Sequence, residues 1–277
     1  MGKPLKRPLV AVLLSLLYTG LGQAYNKQPG KAVLIAVIPP TVALGASWVG
    51  GLNTFARLAG VLTALIAFEL LVAVDAWRIA RREEQRSANR GSIWLAYGCL
   101  AGLLAAQLVV LGNAEYFSKI VRVRAFRIAS ASMSPTILKS DRAMADMRAY
   151  RGESPQRGDL VIVELEGRGL FARRVVALPG DVVSGTGEGI LVNGHPLAEP
   201  HWREEIPWLS APTLGSMLYF EPITIGPGEL YVLGDNYLRG MEPGKPRTNL
   251  VRREQVQGKP LYIYWSEDLS RVGRTLQ

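Results

Sequence analysis

The chain has 277 residues, 48% of them hydrophobic, and a formal net charge of +9. That length allows one or two domains with cores of their own. A single cysteine, Cys99, excludes a disulfide within the chain, and no Cys/His cluster has metal-ligand spacing. The basic residues form no Lys/Arg stripe interleaved with aromatics, so nucleic acid is not an expected partner.

Residues 9–113 are dominated by Leu, Ala, Val and Gly, whereas residues 120–277 hold most of the charge and most of the prolines. This split predicts a membrane region over residues 1–118, with three to four hydrophobic helices, and a second domain over residues 119–277. A helix that crosses a bilayer needs about 20 apolar residues. Residues 32–49 come close, though they contain Pro39 and Pro40. Residues 58–77 are long enough and embed Glu69 and Asp75. Residues 92–111 are the cleanest candidate.

A shorter apolar stretch, residues 8–17, follows Lys3, Lys6 and Arg7, the basic start of a cleavable leader. No small-x-small site stands in a clear place after it, and another apolar segment follows, so it is expected to stay. Gly20-Leu21-Gly22-Gln23-Ala24-Tyr25 resembles the short hairpin modules of small bacterial membrane domains. Arg78, Arg81, Arg82, Arg86 and Arg90 mark a cytoplasmic loop. Residues 92–111 would then run outward, leaving everything after Asn113 outside the cytoplasm. Lys3, Lys6 and Arg7 also favour the inside, so residues 8–17 cannot span if the three later segments do. They are expected to lie in the interface or to re-enter. Glu69 is costly in an apolar segment unless paired, so a partner within the helical bundle is expected.

The second half reads as mostly β. Short β-rich runs occur at residues 161–163, 191–192, 223–225, 230–233 and 261–264, separated by Gly, Pro, Asn and Asp. Asn193-Gly194 between apolar runs signals a hairpin. His195 and His201, beside Pro196 and Pro200, read as exposed loop histidines.

Alone, Ser130-Ala131-Ser132-Met133-Ser134-Pro135-Thr136 would read as a turn or cap. It is followed by Arg157-Gly158-Asp159, by Arg173-Arg174-Val175-Val176-Ala177-Leu178-Pro179-Gly180-Asp181, by Val192-Asn193-Gly194 with residues 197–200, and by Gly234-Asp235-Asn236. In this order these words, within residues 126–265, resemble the type I signal peptidases. The family's words are S-x-M-x-P-T, R-G-D, K-R-x-x-x-L-P-G-D, N-G-x-x-L-x-E-P and G-D-N.

The resemblance implies a bacterial membrane-anchored serine protease that cuts signal peptides from exported preproteins. It implies membrane helices followed by a β-rich catalytic domain, on the extracytoplasmic side of the cell (inner) membrane. Ser132 would be the nucleophile, with Ser130 and the Ser132 amide stabilising the oxyanion. Met133 and Pro135 would shape the turn beside a groove that takes an extended peptide with small residues in two shallow pockets. Preprotein signal peptides and the lipid bilayer are the implied partners, and no metal or other cofactor is implied.

The chain departs from the pattern where the base should be. A serine hydroxyl needs a neighbouring base, and a lysine serves once burial lowers its pKa. Here the family's lysine is Arg173, which keeps its proton at any useful pH. Arg174 matches the family's own arginine. Ala129 and Ala131 replace the usual proline and glycine, which raises the question of backbone angles that alanine resists. In residues 237–247 the expected serine, aspartate and arginine are Gly240, Glu242 and Gly244. Lys245 in that altered loop ranks first as an alternative base, ahead of Lys139, Lys259, His195 and His201. Three readings follow: an enzyme with an unusual site, a catalytically inactive relative that binds signal or membrane peptides, and a scaffold.

Overall fold

A computed structural model describes residues 6–82, 90–112, 121–165, 169–186, 189–197, 218–236 and 245–276. The chain divides into two compact units, Met1–Val121 and Arg122–Gln277.

The first unit is helical: α1 (Lys6–Leu17), α2 (Leu21–Tyr25), α3 (Pro29–Trp48), α4 (Phe55–Arg81) and α5 (Arg90–Gly112). Three stretches, Pro29–Trp48, Phe55–Arg81 and Gly91–Val110, are long and apolar enough to cross a membrane. They are the three long segments legible in the sequence. α3 runs through Pro39 and Pro40 without ending, and Thr41 Oγ1 donates to the carbonyls of Val37 (2.9 Å) and Ile38 (2.8 Å). At 1.5 Å per residue, α1 is about 18 Å long, short of the roughly 30 Å bilayer core. It packs against α4 instead.

Polar residues join these helices. Thr19 donates to Glu69, the kind of partner a carboxyl in an apolar helix requires. Gln23 Nε2 donates to the Val72 carbonyl (2.9 Å), and Lys31 pairs with Asp75 at 2.7 Å. A Cβ on Gly22 would stand 2.3 Å from the Ala11 carbonyl oxygen and 2.1 Å from Ser15 Oγ. The Gly20–Tyr25 stretch is therefore a close-packing element of the helical unit. Leu62, Ile66 and Leu70 on α4 are exposed, giving that helix an apolar outer face.

The second unit is built from β1 (Val123–Arg127), β2 (Arg142–Asp146), β3 (Leu160–Leu165), β4 (Gly169–Ala177), β5 (Val182–Thr186), β6 (Gly189–Val192), β7 (His195–Pro196), β8 (Phe220–Thr224), β9 (Glu229–Leu233), β10 (Leu250–Arg252) and β11 (Val256–Trp265). One sheet has the order β1-β2-β11-β3-β4-β9-β10 and the other β7-β6-β5-β8. Every pairing is antiparallel.

Each β-rich run of the sequence falls on a strand, except that Ile225 lies one residue past β8. β2 and β4 did not announce themselves, because β2 reads Arg-Ala-Met-Ala-Asp and β4 carries two arginines at its centre. Their neighbours in the sheet hold them extended. The Asn193-Gly194 turn has φ of 52° and 77°, the positive pair a type I′ hairpin needs. Asn193 also accepts from the Val182 amide (2.8 Å) and donates to Asp181 (2.7 Å).

Candidate active site

The site begins with the segment between β1 and β2. Its neck is closed by backbone bonds from Ile128 N to the Asp141 carbonyl and from Ser140 N to the Ile128 carbonyl, both 2.9 Å. Within it, Met133 and Ile137 are fully buried against Ala143, Ala145, Leu160, Ile162 and Ile263. These apolar anchors fix the turn that carries Ser132, which is 4% exposed. The apolar burial of Met133 and Ile137 gives the turn about 1.5–3 kcal/mol per side chain of holding energy.

A second fixture comes from Gly234-Asp235-Asn236. The Asn236 amide donates to the Ser132 carbonyl at 2.9 Å. A Cβ on Gly234 would lie 2.2 Å from that same carbonyl oxygen, so no larger residue fits there. Asp235 is held in turn by both forks of Arg174, at 2.7 and 2.8 Å. Arg174 Nη1 also donates to the Gly158 carbonyl (2.7 Å). The words that seemed separate in the sequence are thus one hydrogen-bonded scaffold behind the serine.

Arg173 comes to the site from β4, where it stands opposite Val161 of β3. Its Nη1 donates to Ser132 Oγ (3.0 Å) and to the Ala172 carbonyl (2.9 Å). It is 6% exposed, and burial pushes its guanidinium below the ordinary arginine value. Ser130 Oγ lies 3.0 Å from Ser132 Oγ on the exposed side. The three side chains share a cleft of about 200 Å³, lined further by Phe126, Ile128, Met133 and Phe171. Chemically, this is a hydroxyl held between a fixed cation and a second hydroxyl. A cation there favours the alkoxide without itself taking the proton.

The other sequence candidates sit elsewhere. Pro135 is exposed and does not line this cleft, although its carbonyl receives a long contact from Arg271 (3.4 Å). Lys245 is exposed at the start of a short 3-10 helix, Pro246–Asn249, and is not among the described residues lining the cleft. Lys259 is paired with Asp159 at 2.8 Å, and Lys139 is exposed. His195 is exposed on β7 in the other sheet. His201, Gly240, Glu242 and Gly244 lie outside the described residues. Ala129 and Ala131 both have negative φ, so the feared backbone conflict does not arise. Neither position needs a glycine.

One group of residues escaped the sequence reading. Arg271 donates to Asp141 (2.8 Å) and to the Thr136 carbonyl (3.0 Å), and Ser266 donates to Asp141 (2.7 Å). Burial would raise the Asp141 carboxyl, but its bonds from Arg271, Ser266 and the Leu138 amide hold it below the usual carboxylate range. Asp141 and Arg271 are 130 positions apart, so no local pattern could have paired them.

The family model described as signal peptidase, peptidase S26, matches residues 100–265, more than half of the chain. A signal peptidase I of Bacillus licheniformis is 25% identical over 184 residues, covering 66% of this chain and 94% of the relative. A probable signal peptidase I-2 of Synechocystis is 27% identical over 202 residues, covering 70% and 83%. A crystal structure of a signal peptidase I from Enterococcus faecalis aligns with a TM-score of 0.30 and 24% identity, over 39% of this chain and 97% of that one. The Bacillus and Synechocystis relatives carry the name of an enzyme, and the reading of an inactive binding relative gains no support from them. On the match of its family model, the chain belongs to the signal peptidase family, peptidase S26.

Proposed function

We propose that the chain is a signal peptidase I-type serine endopeptidase that cuts signal peptides from preproteins, with Ser132 as nucleophile and Arg173 as a fixed cation in place of a basic lysine. The observation that carries this reading is the 3.0 Å contact from Arg173 Nη1 to Ser132 Oγ inside a cleft that also holds Ser130. Ser132 Oγ attacks the scissile carbonyl carbon while its proton passes to Ser130, whose own proton leaves to solvent on the exposed side. Arg173 stabilises the alkoxide as it forms. The Ser130 hydroxyl and the Ser132 amide then donate to the oxyanion, an effect worth roughly 3 kcal/mol per donor. The C–N bond breaks, the amine takes a proton from solvent, and water hydrolyses the acyl-serine to a free carboxylate.

The three long apolar helices suit a multi-pass anchor in the cell (inner) membrane. The arginines at Arg78, Arg81 and Arg82 favour a cytoplasmic loop after α4, which supports an extracytoplasmic side for the β-rich unit. Met133 lines the cleft as a groove residue, and Pro135 lies on the outer side of the same turn. The test is labelling with a serine-reactive acylating probe, read by mass spectrometry on full-length protein in detergent. Labelling at Ser132 that disappears in Ser132→Ala supports the reading. Equal labelling in both proteins, or none at Ser132, contradicts it.

A further inference from the structure

Arg173 is a buried cation that no described carboxylate neutralises. Among the described residues it donates to a neutral hydroxyl and a neutral carbonyl. It lines the cleft at Ser132, so its remaining N–H groups have no protein acceptor among the described residues. A guanidinium taken out of water without a counter-ion is costly, and an anion that enters the cleft relieves that cost. The planar fork suits a carboxylate best, because two parallel N–H groups meet its two oxygens.

We infer that the cleft at Ser132 and Arg173 is a binding site for the free α-carboxylate of a peptide ending in a small residue. This rests on the reading of Ser132 as nucleophile, since that reading says where such a carboxylate arises. When the acyl-serine is hydrolysed, the carbon that was bonded to Ser132 Oγ becomes the carboxylate carbon. The new anion is therefore formed within one bond of an oxygen that lies 3.0 Å from Arg173 Nη1. Phe171, whose ring lies 5.0 Å from the Arg173 guanidinium carbon, walls the site and limits water on that side. The cut signal peptide thus meets a cation at the moment it becomes an anion, and its release slows. A lysine that ends the reaction neutral would offer no such hold. The ligand class is a peptide acid, and the reaction's own product is its nearest source.

The experiment compares two fluorescent peptides ending Ala-x-Ala, one a free acid and the other its C-terminal amide, bound to full-length protein in detergent and read by anisotropy. The acid is expected to bind about tenfold tighter or more, the gain of a charge-assisted pair. Arg173→Gln abolishes the preference, and Ser132→Ala, which keeps the cation, retains it. Sodium acetate serves as the small-anion control and is expected to displace the acid only weakly. Equal binding of acid and amide overturns the inference, as does a preference that survives in Arg173→Gln or an acid that does not bind. Displacement by acetate as effective as by unlabelled peptide acid reduces the site to a general anion site and overturns the peptide assignment. Precursor cleavage is measured separately on the same samples. Cleavage without acid preference sinks only this inference, and acid preference without cleavage sinks only the peptidase reading.

Discussion

The Gly234 Cα faces the Ser132 carbonyl so closely that an added Cβ would stand 2.2 Å from its oxygen. That carbonyl also accepts the Asn236 amide. The backbone of Ser132 is thus seated on the Gly-Asp-Asn turn. Gly234→Ala is expected to displace Ser132 and lower kcat/KM for a precursor by about 100-fold, the usual cost of misplacing a reacting group by an ångström. The melting temperature should fall only modestly, because the apolar anchors Met133 and Ile137 remain. Steady-state cleavage together with a thermal melt checks this.

Arg271 and Asp141 form a buried ion pair behind the same segment. Arg271→Met leaves Asp141 charged and unpaired, and is expected to cost about 3–5 kcal/mol. The double variant Arg271→Met with Asp141→Leu should recover much of that loss, since it removes the orphaned charge. Denaturant unfolding of full-length protein in which Trp265 is kept as the single tryptophan, followed by its fluorescence, measures both.

The same carboxyl sets an acid limit. Burial raises Asp141 and Asp159, but hydrogen bonds and cationic partners lower both on balance. A depressed folded-state pKa contributes stability above the unfolded value, about 3.9, that is lost as pH falls through the folded value. The β-rich unit should therefore hold its stability from neutrality down to about pH 4 and lose it below. Asp141→Asn is expected to flatten that dependence while lowering stability at neutral pH. An acid titration by near-UV circular dichroism reads the difference.

Cleavage should carry its own signature of pH. With no titrating base beside Ser132, kcat/KM is expected to rise steadily from about pH 7 to about pH 10, without an inflection near neutrality. Arg173→Lys places a group there that can titrate, and its profile should bend. Lys245→Ala should leave the wild-type profile unchanged to within about twofold, because Lys245 is exposed and does not line the cleft.

Much of this site was legible in the sequence because its parts are local words. Ser130, Ser132 and Met133 fall within four residues and do meet at one cleft. Arg173 is legible as the basic word's first position, and its Nη1 lies 3.0 Å from Ser132 Oγ. The three long helices showed as apolar runs, since length and composition alone mark them. What stayed hidden depends on distance along the chain. The Asp141–Arg271 pair and the seat formed by Gly234 under Ser132 join segments that only the sheet order brings together. β2 and β4 were hidden for another reason, as their extended form comes from hydrogen bonding between β1 and β11 and between β3 and β9 rather than from their own residues. Pro135 sits in the serine word beside Met133, yet the turn carries it outward, away from the cleft.

The most direct measurement is cleavage of an exported precursor with an Ala-x-Ala site by full-length protein in detergent, beside Ser132→Ala. Wild type is expected to cut at that site and Ser132→Ala to leave the precursor intact, as nucleophilic attack by Ser132 requires. An inert wild type, or a Ser132→Ala protein that cuts as well, would contradict it.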